Sequence, residues 1–233
     1  MNYKLSPSDL TFLYDGCPRC FYQKAKHGIS QPSIPLPSIF TKIAGLLKEY
    51  YDGKRTEELH SGLPPGIVKY GEKHIESKIF GFENHKDTCY IKGRFDVVLE
   101  FDDGTYGVID YKTGNPEGGA SKLYGRQLHS YAHALENPAP GSLNLAPVSM
   151  LGLLYFHPTS VSQKDIKSLS FDSNIHLIPV ERKNEDYLKF IDDTLKLLES
   201  PQPPASSQDC SWCNYLKLLR GLENKPPKMF SNF

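Results

Sequence analysis

The sequence has no net charge, no long apolar run and no internal repeat. Its 27 Lys and Arg offset 27 Asp and Glu over 233 residues, which excludes a global cationic field, so any contact with nucleic acid must be local. No apolar stretch approaches the ~20 residues of a membrane-spanning helix. The opening Met1-Asn2-Tyr3-Lys4-Leu5-Ser6-Pro7 does not resemble a secretory signal. Low-complexity tracts are missing as well, which argues against disorder. Cysteine is scarce: there are five, an odd number that disfavours a secreted disulfide framework. A soluble cytoplasmic protein with no membrane partner is expected, and 39% apolar residues suffice for a sizeable core.

What cysteine there is falls into a pattern. Cys17 and Cys20 form one C-x-x-C, Cys210 and Cys213 a second, and Cys89 stands alone in an apolar stretch as a buried small hydrophobe. Two such pairs supply four soft ligands suited to Zn2+ or an iron–sulfur cluster. Shared ligation would staple the two ends of the chain together. The competing reading is two unrelated pairs, although a thioredoxin-like redox site needs a different context.

Along the chain, Ser6-Pro7-Ser8-Asp9 predicts a short helix start, and Cys20 to Lys26 a further turn or two ended by Gly28. A Pro-rich crossing from Pro32 to Pro37 precedes a helix capped by Ser38, which makes the first half helical. From Ile75 the period changes to two. Strands are predicted over Ile75 to Ile79, as one long run from Tyr90 to Phe101, and over Gly107 to Lys112, Ser149 to His157 and Ile175 to Val180. Helices are predicted over Ser121 to Glu136 and over Asn184 to Glu199, the latter capped by Asn184. A stiff Pro-rich linker from Pro201 then delivers the second C-x-x-C and a short helix. The expected organisation is a helical segment 1–37, an α/β core 38–200 of four to five strands flanked by helices, and a terminal segment 201–233 packing on the first.

The densest chemistry lies between Gly93 and Gly114. Asp102-Asp103-Gly104 is a hairpin signal. A three-residue loop with Gly104 left-handed pairs Phe101 with Thr105 and sets Asp96 directly opposite Asp110, where two carboxylates can share one hard cation. A two-residue turn would put them on opposite faces. Period two also sets Lys112 beside Asp110. The plainer alternative is a surface ion pair between Lys112 and one acid.

Gly-Arg-Phe-Asp96, then Asp110-Tyr111-Lys112-Thr113-Gly114, then Gln127-Leu128-His129-Ser130-Tyr131, resembles the PD-(D/E)XK nuclease superfamily. Within it, the RecB-type exonuclease branch that includes the CRISPR-adaptation nucleases looks closest. The resemblance implies a restriction-endonuclease-like core, a mixed sheet flanked by helices, with a helical, cysteine-bearing subdomain made by the two termini. It implies Asp96, Asp110 and the Tyr111 carbonyl as ligands of Mg2+ or Mn2+, Lys112 acting on the attacking water, and Gln127 and Tyr131 contacting DNA. It also implies a 4Fe-4S cluster on Cys17, Cys20, Cys210 and Cys213, with Zn2+ as the alternative. Two features depart from the pattern. The cysteines split two and two, where the family commonly splits them one and three. The upstream metal-binding histidine is missing, since the segment reads Gly45-Leu46-Leu47-Lys48-Glu49. Glu49 is the candidate replacement, and an exposed helix glutamate is the alternative. His60 and His74 are expected to be ordinary surface or loop residues.

The reading is a metal-dependent deoxyribonuclease, an exonuclease on single strands or ends. Tyr22, Tyr124 and Tyr131 are candidate base-stacking rings, and Arg19, Arg94, Lys112, Lys122 and Arg126 are expected near one groove. Protein partners would come from repair, recombination or CRISPR adaptation. The alternatives are a catalytically degenerate DNA-binding or assembly module and a zinc-stapled interaction protein.

Overall fold

The computed structural model describes residues 1–32, 37–116 and 119–223. Part of the Pro-rich crossing lies outside them. The chain begins with β1 (Asn2–Leu5), a π-helical turn over Asp9–Leu13, α1 (Tyr14–Gly16) and α2 (Pro18–His27). Pro18 opens α2, where its missing N–H costs nothing, and Gly28 ends it at φ +70°, in the left-handed conformation that glycine tolerates. Next come α3 (Ser38–Tyr51), α4 (Thr56–Leu59), β2 (Gly66–Gly71), β3 (His74–Glu76), β4 (Thr88–Arg94), β5 (Val97–Phe101) and β6 (Tyr106–Thr113). The chain then runs through α5 (Ala120–Glu136), β7 (Val148–Asp165), β8 (Ser168–Val180), α6 (Asn184–Glu199) and α7 (Ser211–Glu223).

A five-stranded sheet in the order β2-β5-β6-β7-β8 is mixed, with β6 and β7 its parallel pair. Parallel neighbours need a crossover, and α5 supplies it. Val98, Val108, Leu151 and Leu153 face α5 and α6 through Leu128, Leu135, Ile191 and Leu195. The alternate residues Leu99, Ile109, Tyr111 and Leu154 face Tyr51 of α3 and Leu59 of α4. Helices therefore cover both sides, the restriction-endonuclease-like arrangement expected.

Four expectations need correction. The first half is not wholly helical: β1 and β2 lie in it, and β1 pairs in parallel with β4. The run from Tyr90 to Phe101 is not one strand. It bends at Phe95 and Asp96, so that β4 joins β1 and β3 in a second sheet while β5 enters the large one. Its partner strand bends at the same level, where the Glu72 N–H donates to the Asp96 carbonyl at 3.0 Å. The strand begun at Ile75 stops at Glu76, because Ser77 bridges instead to Pro138. Finally, two caps differ: α3 begins at Ser38 with Pro37 in the cap position, and α6 begins as predicted but with Lys183 in the cap position, the Asn184 side chain accepting from Arg182 at 3.0 Å.

Candidate active site and four-cysteine centre

The hairpin register positions the first constellation. Val97 pairs with Ile109 and Glu100 with Tyr106, and the Phe101 N–H donates to the Thr105 carbonyl at 2.9 Å. Gly104 sits at φ +83°. Asp96 is one step beyond the last pair, facing Asp110. Its Oδ2 accepts the Tyr111 N–H at 3.0 Å, so this carboxylate is braced by the main chain of the neighbouring strand. The Tyr111 ring turns the other way and packs edge-on to Phe156, which leaves only its main chain toward the site.

Asp110 is 4% exposed. Burial pushes its carboxyl up to about 6, with Asp96 adding to the rise and Lys112 opposing it. Lys112 forms an ion pair with Asp110 Oδ2. On α5, Gln127 Nε2 donates to the Tyr131 hydroxyl at 3.0 Å, while buried Gln127 Oε1 has no partner. A buried carboxylate facing a second carboxylate is an oxygen donor set that fits a hard divalent cation. Gly93 allows the close packing beside it: a Cβ there would lie 2.8 Å from Pro7 Cδ and 3.5 Å from the Tyr131 ring.

Asp96, Asp110, Lys112, Gln127 and Tyr131 are thus gathered, but Glu49 does not join them. It is exposed on the face of α3 that carries Thr41, Lys42 and Gly45. One residue earlier on the helix, Lys48 points inward, donating to Asp96 Oδ1 at 2.8 Å and to Glu72 Oε1 at 2.6 Å. Burial opposes the Lys48 charge, but these two carboxylates outweigh it and raise its pKa. Sequence reasoning missed both Lys48 and Glu72. Glu72 stands at φ +45°, unusual for a side chain larger than glycine's, and nothing in the sequence marks it.

The stacking candidates also need correction. Tyr22 and Tyr131 are buried, and the Tyr22 hydroxyl donates to the Ser200 carbonyl at 2.8 Å. Tyr124 is half-buried, edge-on to exposed Phe12, with Lys112 Nζ 4.0 Å from its ring centre. The basic residues are distributed. Arg94 approaches Glu72, Arg126 pairs with Asp15, Lys122 and Arg126 line a cavity of about 480 Å³ with His129 and Phe190, and Arg19 donates to the Pro204 carbonyl.

The second constellation joins the chain's ends. The four cysteine sulfurs of Cys17, Cys20, Cys210 and Cys213 lie within 4.8 Å of one another, and all four residues are buried beside Leu13 and Trp212. This set can hold a metal. Cys89 stands apart, fully buried, its thiol pushed up to about 12 by burial. Among the described residues no helix is long and apolar enough to cross a membrane.

No curated protein matches the chain. A solved crystal structure, that of SSO0001, is similar at 16% identity and a TM-score of 0.41, covering 85% of this chain and 78% of its own. The family profile of the PD-(D/E)XK nuclease superfamily matches residues 49–218, a span holding the carboxylates, the lysine and the Gln-x-x-x-Tyr helix. The chain belongs to the PD-(D/E)XK nuclease superfamily.

Proposed function

We propose that the protein is a Mg2+- or Mn2+-dependent deoxyribonuclease, acting as an exonuclease on single strands or ends. The observation that carries this reading is the buried Asp110 carboxylate facing Asp96, with the Lys112 ammonium against it. Asp96, Asp110 and the Tyr111 carbonyl would hold the cation. When bound, it would supply Lewis-acid polarisation of a phosphate and a water of lowered pKa. Lys112 would orient the attacking water and stabilise charge developing on the phosphate. Gln127 offers its unpartnered Oε1 to the nucleotide, with Tyr131 holding the amide in place. The Phe12 and Tyr124 pair supports a single-stranded substrate, because it is the aromatic surface beside Lys112 and every base has a face to stack.

A second reading is a non-catalytic DNA-binding module that has lost cleavage. It is favoured by one observation, the Lys48 ammonium bonded to Asp96 Oδ1, where a cation would compete with it. Labelled single- and double-stranded DNA incubated with Mn2+ separates the two. Cleavage by wild type, lost by at least 100-fold in Lys112→Ala, is expected. DNA binding without cleavage, combined with Mn2+ binding that appears only in Lys48→Met, establishes the second reading instead.

A further inference from the structure

The four cysteines carry an inference independent of the nuclease reading. Sulfur–sulfur distances are 3.8 Å for Cys17–Cys213, 3.8 Å for Cys20–Cys210 and 3.4 Å for Cys20–Cys213. A tetrahedral zinc ion with bonds of about 2.3 Å separates its ligand sulfurs by about 3.8 Å along each edge. A four-iron cube instead places each ligand sulfur outside its own iron, at a separate corner, so the four must spread far wider than the ligands of one ion. All four sulfurs here fall within 4.8 Å. The donor set therefore does not fit the 4Fe-4S cluster that the resemblance implied.

The surroundings suit thiolates held permanently. The backbone N–H groups of Cys20 and Ser207 bond the Cys17 sulfur, and the Gln31 side-chain amide donates to the Cys210 sulfur at 3.8 Å. Such donors disperse the negative charge that four thiolates bring to one dication. No ligand position is left for a water, as in a structural rather than a catalytic zinc site.

We propose that Cys17, Cys20, Cys210 and Cys213 bind a single Zn2+ ion in a closed tetrahedral site that fastens the start of α2 to the start of α7. The ion has no redox role and does not touch the carboxylate site. It closes a loop of 190 residues between Cys20 and Cys210.

The test uses the full chain, purified anaerobically without added metal. Elemental and acid-labile sulfide analysis is expected to find about one zinc per chain, negligible iron and a colourless solution. Replacement by Co2+ is expected to give the visible bands of tetrahedral cobalt thiolate. Cysteine variants risk failing to fold, so the wild-type protein is also treated with a strong chelator. Its melting temperature should fall, and a protease should then cut the 201–209 linker faster. Near-stoichiometric iron and sulfide with a brown colour would overturn the proposal. So would a metal-free protein whose melting temperature responds to neither zinc nor chelator.

Discussion

Asp110 is held in a state that opposes its own ionisation. Its carboxyl is raised from an ordinary value near 3.8 to about 6 because burial penalises the charge more than Lys112 favours it. A carboxylate raised in the folded state contributes stability at low pH and loses it as pH rises through about 6. At neutral pH the ionised group then costs about 3 kcal/mol, at about 1.4 kcal/mol per pKa unit. Asp110→Asn, with a neutral group of the same shape, should raise the melting temperature by on the order of 10 °C at pH 7 while abolishing Mn2+-dependent cleavage. The gain should be smaller at pH 5, where wild type is already largely protonated. Calorimetric melting at the two pH values checks this. A variant less stable than wild type at both would refute the account of strain at the site.

At the scale of elements, the site exists because two paired strands bend together. β4 and β5 meet at Phe95 and Asp96 while β2 and β3 meet at Glu72, and the corner turns the Asp96 side chain toward Asp110. Gly93 lets the corner pack on Pro7 and Tyr131. In Gly93→Ala the new methyl group meets Pro7 in a ring that cannot swing aside. Overpacking of this kind costs about 1–3 kcal/mol, so chemical denaturation should show a loss in that range. A loss under half of that would mean that the corner can yield. The element that sequence reasoning measured worst was the β7–β8 hairpin, whose outer half is exposed on both faces. Without a buried face it has no two-residue period, so only the core-facing ends were legible.

At the scale of the whole molecule, a second clasp complements the cysteines. Buried His85 lies between Asp192 at 2.8 Å and Glu199 at 3.0 Å on α6, and Glu199 also accepts the N–H groups of Lys86 and Asp87. Asp87 in turn pairs with the amino terminus. Burial opposes the charge on His85, but the two carboxylates outweigh it and raise its pKa. Its stabilisation is therefore full below the ordinary histidine value of about 6.5 and is lost as pH rises through the higher folded value. His85→Gln should remove that fall, leaving a flatter melting profile above pH 6.5. An unchanged profile would place the pH dependence elsewhere.

Much of the site was legible because local rules govern it. Asp-Asp-Gly set the hairpin loop, the loop set the register, and the register brought Asp96 to face Asp110. The i, i+4 spacing put Gln127 and Tyr131 on one face of α5. Paired C-x-x-C motifs announced four candidate ligands, and each pair spans a single local turn. Lys48 was not legible, because helical periodicity states which residues share a face but not which face meets a corner formed by strands up to 48 positions away. The same limit explains Tyr22, whose ring the packing of α2 against α6 buries. Sequence alone determined the chemical inventory and the short-range geometry, since backbone preference and period act over a few residues. Only the tertiary structure decided which lysine faces Asp96, where one predicted strand divides between two sheets, and that four thiols from opposite ends of the chain come within reach of a single ion. Those depend on long-range packing, whose contacts no local pattern encodes.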